Sequence, residues 1–159
     1  MKRVIIMRHA KSSWKDSSLS DHDRPLNKRG KRDAPRIAKA LYELGWIPDL
    51  VLSSTSERTR ETWHGMEGHI SDDEIPVKWL SSFYHGGTSE VLAELAKLDD
   101  SVETVLCLGH NPGWEDVVAS MSNKPTRMTT ANAVLLESES SSWCEDFAFV
   151  DILRPKELD

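Results

Sequence analysis

Two stretches of the chain, Val4-Ile5-Ile6-Met7 and Val105-Leu106-Cys107-Leu108, are apolar at every position with no polar alternation. Strands covered on both faces carry that pattern, as in a sheet sandwiched between helices. Shorter runs with strand character cover Leu50–Ser53, Pro76–Leu80, Ala133–Glu137 and Phe147–Leu153, and the two continuous runs extend to Arg3–Met7 and Thr104–Leu108. The serine-rich run Ser138–Ser142 reads as a surface loop between the last two strands.

Between the strands the period changes to that of a helix. Ile37, Leu41 and Leu44 recur at helical spacing and stop at Gly45, while Pro35 leaves the start of that helix open. Ser54-x-x-Glu57 has the form of a capping box, so a helix is expected from there to about Gly68. Val91, Leu92, Leu95 and Leu98 follow Thr88 in a third helix. Asn111-Pro112 reads as cap and first helical residue of a fourth, with Trp114, Val117, Val118 and Met121 on its apolar face. Strands alternating with helices predict an α/β fold with a mostly parallel central sheet. The last two strands have no helix between them, which predicts an antiparallel edge strand.

At 159 residues, one domain over residues 1–159 is expected, with one sizeable core and no repeat or linker. No apolar run approaches the ~20 residues of a membrane span, and Arg8 interrupts the first apolar stretch too early for a secretory signal. Cys107 and Cys144 form no CxxC pair and no disulfide framework, so a cytoplasmic location is expected. Six Trp is a high count; Trp63 and Trp114 fall on apolar helix faces, and Trp14 is placed to flank a site near the first strand. Cys107, inside an apolar strand, reads as a small hydrophobe.

The net charge of −6 conceals an asymmetry. Residues 1–40 carry twelve Lys and Arg against four Asp and Glu, and the remainder carries eight against 22. A basic first quarter on an acidic chain points to a local anion site. Nucleic acid is disfavoured as a partner, because aromatics do not interleave with the basic residues and the whole chain is acidic.

Open α/β sheets bind ligands beyond the carboxyl ends of their strands. Arg8-His9 follow the first strand, Ser53-Ser54 and then Arg58 follow the second, and Gly109-His110-Asn111 follow the fourth. Two His and two Arg therefore converge on one sheet edge with two helix N-termini, whose free N–H groups favour anions. That constellation describes a phosphate site with a nucleophile inside it. Each residue alone has a plainer reading, as a structural His or a solvated Arg; their coincidence at matching topological positions carries the inference.

The same residues resemble the histidine phosphatase superfamily, which includes the phosphoglycerate mutases. The matching strings are Met7-Arg8-His9-Ala10-Lys11-Ser12, Asp23-Arg24-Pro25-Leu26 with Arg29-Gly30, Ser54 through Arg58 to Thr62, and Gly109-His110-Asn111-Pro112-Gly113. Arg-His-Ala-Lys is similar to the branch of SixA-type phosphohistidine phosphatases. The resemblance implies a phosphoglycerate mutase-like three-layer α/β/α sandwich. It makes His9 the phosphorylated residue, and Arg8, Arg58 and His110 the grip on the phosphoryl group, with Ser12 and Asn111 as further phosphate contacts. It implies no cofactor and no metal, in keeping with the lack of P-loop, EF-hand and HExxH motifs; His64 and His69, five apart, read as surface residues.

Relatives that cleave phosphate esters protonate the leaving alcohol with a carboxylic acid. The segment Phe83–Glu90 offers His85 and Glu90 for that role, although Glu90 also suits a helix first turn. A pocket without an evident acid favours a substrate whose leaving group needs little help, such as the imidazole of phosphohistidine. The chain is also too short for the large lid that sugar-phosphate enzymes carry, which suits a phosphorylated protein as partner. A phosphomonoesterase acting on a small phosphorylated metabolite, and a non-catalytic phosphate- or phosphoprotein-binding module, remain as alternatives.

Overall fold

The computed structural model describes residues 1–143 and 146–158; Cys144 lies outside the described residues. Its six strands are β1 (Lys2–Arg8), β2 (Leu50–Ser54), β3 (Val77–Leu80), β4 (Thr104–Gly109), β5 (Ala133–Ser138) and β6 (Ala148–Leu153). They form one sheet in the order β3-β2-β4-β1-β5-β6. β1, β2, β3 and β4 run parallel, while β5 runs antiparallel to both of its neighbours, β1 and β6. The reversed strand is thus β5, one place inside the edge, and β6 closes the sheet.

Four helices cover the two faces: α1 (Lys28–Glu43), α2 (Glu57–Ile70), α3 (Thr88–Ala96) and α4 (Gly113–Ser122). Side chains alternate across each strand, so Ile5 and Met7 of β1 join the α1/α2 core while Val4 and Ile6 join the α3/α4 core. In β4, Leu106 and Leu108 face one way, Val105 and Cys107 the other. Both layers demand apolar partners, which is why these strands show no polar alternation. Trp63 and Trp114 are buried in the two layers, and burial pushes the Cys107 thiol far up.

Helix boundaries depart from the sequence pattern in instructive ways. α1 begins at Lys28, capped by the Asn27 side chain on the Gly30 N–H, and it carries Pro35 internally. It ends where Gly45 takes a φ of +76°, with Trp46 N–H bonded to Leu41 C=O and Gly45 N–H to Tyr42 C=O, the Schellman pattern. α2 is capped by Ser56 and not by Ser54, since Ser56 Oγ accepts from the Thr59 N–H and the helix runs to Ile70. Asn111 does not cap α4 either: its side-chain amide donates to Met128 C=O and Glu115 Oε2, and the helix opens at Gly113.

Glycines permit two close approaches near the parallel-strand ends. A Cβ at Gly109 would lie 2.3 Å from the Trp114 ring, and one at Gly113 would lie 2.0 Å from the Gly86 carbonyl oxygen. The start of α4 therefore nests against the end of β4 through the Trp114 ring and against the loop before α3 through the Gly113 backbone. Among the described residues, no helix is long and apolar enough to cross a membrane.

Candidate active site

Register assembles the site. β1 and β4 pair with Arg8 opposite Gly109, so His9 and His110 leave adjacent strand ends side by side, with ring centroids 5.1 Å apart. The His9 N–H donates to Gly109 C=O, locking the two exits together. β2 lies on the other flank of β4 and delivers Ser54, whose Oγ is 2.9 Å from His110 Nε2. One turn into α2, Arg58 reaches back over His9, its Nε donating to His9 Nε2 across 3.4 Å. Thr62 pins these segments, its Oγ1 accepting from the Ala10 N–H and donating to Arg58 C=O.

His9 is buried, and its Nδ1–H donates to the Ala10 carbonyl oxygen at 2.7 Å. That bond fixes the tautomer and leaves the lone pair on Nε2, turned toward Arg58. Burial, with Arg58 and Arg8 nearby, lowers the His9 pKa to about 3. His110 is lowered to about 2 by burial and by the proximity of His9 and Arg58. Both imidazoles are therefore neutral at neutral pH, and the positive charge of the site comes from guanidiniums alone.

The guanidiniums number three. Arg8 donates from Nη1 to Met128 C=O, and burial lowers its pKa. Arg58 is buried and held by Asp21, through Nη1 to the main-chain oxygen at 2.7 Å and Nη2 to Oδ2 at 3.0 Å. The third is Arg24, also buried, which donates to Ser13 C=O, Asp21 Oδ1 and Ser12 Oγ and stacks on the Trp14 ring at 3.2 Å. Trp14 is 72% exposed, yet its ring roofs this cation. Asp21 itself accepts from Tyr84 Oη–H at 2.5 Å, and that bond, with those from Arg24 and Arg58, holds its carboxyl well below the usual range.

These groups enclose a cavity of about 240 Å³ lined by Arg8, His9, Ser12, Arg24, Arg58 and His110, among others. Arg8 Nε, His110 Nδ1 and Asn111 Oδ1 are buried and have no hydrogen-bond partner among the described residues. Three guanidiniums around His9 Nε2, with Asp21 between two of them and Glu115 near Arg8, make a cavity whose donors suit the oxygens of a phosphoryl group. Asn111 lines the cavity, and Ser12 lends its oxygen to Arg24. His85 is exposed on a neighbouring cavity, and Glu90 accepts from the Gly87 N–H at 2.7 Å at the start of α3. Among the described residues, no three His, Cys, Asp or Glu side chains converge as metal ligands would.

A sequence profile of the histidine phosphatase superfamily (branch 1) matches residues 4–81. An uncharacterised chloroplastic protein of Arabidopsis thaliana is 42% identical over 155 residues, covering 92% of this chain and 71% of that one. The chain belongs to the histidine phosphatase superfamily. Its fold matches a protein assigned as the phosphohistidine phosphatase SixA of Agrobacterium tumefaciens, with a TM-score of 0.83 and 27% identity over 97% of this chain and 98% of that one. The SixA structure complexed with tungstate superposes with a TM-score of 0.85 at 24% identity, over 98% of each chain. Family and architecture together support phosphatase activity and a phosphorylated substrate.

Sequence reading missed Asp21, Arg24 and Tyr84. Arg24 sits in the Asp23-Arg24-Pro25-Leu26 string, which was the available signal. Asp21 and Tyr84 carry none, because one lies in a charged loop and the other in a short turn between β3 and α3.

Proposed function

We propose that the protein is a metal-independent phosphohistidine phosphatase that works through a phosphohistidine on His9. The observation that supports it most directly is the hydrogen bond from His9 Nδ1–H to Ala10 C=O, which leaves Nε2 unprotonated among cations. In the first step Nε2 attacks phosphorus and the phosphorus–nitrogen bond of the substrate breaks. The transferring oxygens are stabilised by Arg8, Arg24 and Arg58, as preorganised donors do in phosphoryl transfer. In the second step water attacks the phosphorus on His9, releasing inorganic phosphate and restoring the imidazole. His110, held by Ser54, orients one ring nitrogen toward these oxygens, and Asn111 and Ser12 complete the pocket.

Phosphohistidine fits better than an ester because Glu90, a candidate acid, is occupied at the α3 N-terminus. An alkoxide needs a proton donor; an imidazole leaves far more readily. In this reading the protein is a single domain acting in the cytoplasm on a phosphorylated protein. Incubation with a phosphoryl donor followed by mass spectrometry should find acid-labile phosphate on His9, and its absence would mean a binding module. A phosphohistidine peptide should exceed p-nitrophenyl phosphate and sugar phosphates in kcat/KM. The opposite ranking would establish a small-molecule phosphomonoesterase instead.

A further inference from the structure

The phosphate cavity opens into a second one of about 400 Å³ whose far walls are the rings of Tyr84 and His85 and the backbone of Gly86-Gly87 and Gly113. The two cavities share Asp21, Arg58, His110 and Asn111, so the second adjoins any phosphoryl group held at His9. Its volume is that of a small-ligand site, larger than a bare phosphate ester linkage requires. We propose that this second cavity is a leaving-group subsite that selects a planar, protonated imidazole, with Tyr84 and His85 as its specificity-determining residues. The inference rests on the phosphohistidine reading above and deepens it.

Tyr84 is the hub of the aromatic wall. Its ring centroid lies 4.1 Å from that of His85, 5.5 Å from that of His110 and 4.8 Å from that of His22. Its hydroxyl is bonded to Asp21, so the ring is held in place and cannot swing into the cavity. A fixed wall of rings suits a flat aromatic guest and offers little to a sugar or an aliphatic alcohol, whose hydroxyls would meet few donors or acceptors there.

Charge adds a second criterion. Arg8, Arg24 and Arg58 all line the phosphate cavity, whereas the second cavity has Arg58 alone among arginines and two aspartates, Asp21 and Asp116. They favour a ring whose far nitrogen already carries a proton. When the phosphorus–nitrogen bond of that ring breaks, its electron pair returns to nitrogen and the product departs as neutral imidazole. The proton that an ester enzyme must supply from a carboxylic acid is thus brought in by the substrate, and no acid at Glu90 is needed.

The test compares phosphoimidazole with phosphoramidate, which has the same phosphorus–nitrogen bond and no ring. The quantity read is the ratio of their kcat/KM values, which removes changes common to both. Aromatic contacts of this kind correspond to about three- to tenfold in that ratio. Tyr84→Leu is expected to lower it by that factor, Tyr84→Phe to preserve most of it, and His85→Ala, at an exposed position, to lower it by about threefold. An unchanged ratio in Tyr84→Leu and His85→Ala overturns the subsite, because the residues would then act only through Asp21 or not at all. Wild-type protein that hydrolyses phosphoramidate without favouring phosphoimidazole also overturns it and leaves phosphatase function standing. Protein inert toward every donor, with no phosphate on His9, overturns both.

Discussion

Replacing Arg58 by Lys tests whether the guanidinium fork, and not merely its charge, drives the chemistry. Arg58 spends three nitrogens in three directions: Nη1 on Asp21 C=O, Nη2 on Asp21 Oδ2, and Nε toward His9 Nε2. A lysine ammonium is a single point of charge and cannot hold Asp21 and face the phosphoryl oxygens together. Losing one preorganised donor from such a site costs about 10²- to 10³-fold in kcat, or ~2.7–4 kcal/mol. Stability should fall less, by about 1–3 kcal/mol, because Lys keeps part of the attraction to Asp21. For a chain of this length that lowers Tm by roughly 2–4 °C per kcal/mol. Rapid-quench measurement of phosphate appearing on His9, beside a thermal melt, separates the two effects. A rate of phosphoenzyme formation within fivefold of wild type would refute the assigned role. A raised KM with unchanged kcat would do so too, since it would mean that Arg58 holds ground and transition states equally.

The buried histidines make stability depend on pH. Their folded pKa values, about 3 for His9 and about 2 for His110, lie below the ordinary 6.5. Above pH 6.5 neither state binds these protons; as pH falls below it the unfolded chain takes up two that the folded chain refuses. Stability should therefore decline from pH 6.5 to 5 with a slope approaching ~2.7 kcal/mol per pH unit. Urea melts should find that slope about halved in His110→Asn, and an equal slope in the variant would sink the assignment. Glu90→Gln should cost ~0.3–1 kcal/mol at the α3 N-terminus and leave kcat within twofold of wild type, whereas a true general acid would lose about 10²-fold or more. Gly113→Ala drives a methyl group to 2.0 Å from the Gly86 oxygen and should destabilise by about 1–3 kcal/mol; a melt unchanged within a degree would contradict the tight approach.

The strands are legible as apolar runs, clearest in β1 and β4 where burial covers both faces, and α1, α3 and α4 as helical periodicity, while α2 shows only through a capping pattern two residues out of place. Arg8, His9, Arg58 and His110 can be placed because strand ends are topologically defined positions. Local cap chemistry is less legible. Ser54 and Ser56 both precede an acidic first turn, and only the fold reveals that Ser54 is spent on His110 while Ser56 caps α2. Asn111 looks like a cap from its Pro112 neighbour, but Met128, far along the chain, and Glu115, in the first turn of α4, claim its amide. Asp21 is the instructive omission. An Asp beside His22 and Asp23 reads as solvated, and of its partners only Arg24 is local, while Arg58 and Tyr84 come from two distant segments. No spacing rule connects Asp21 to Arg58 or Tyr84.

The place of β1 in the sheet has a consequence for biosynthesis. β1, which leads into His9, is made before both of its neighbours, β4 and β5, which begin at Thr104 and Ala133. Contacts so distant in sequence form late, after long loop closures. Nascent chains halted before Ala131 would carry His9 without the N–H that binds its carbonyl oxygen and without β5, the strand that flanks it. The surroundings of His9 are thus incomplete until β5 has been made, however much of the signature a stalled fragment already displays.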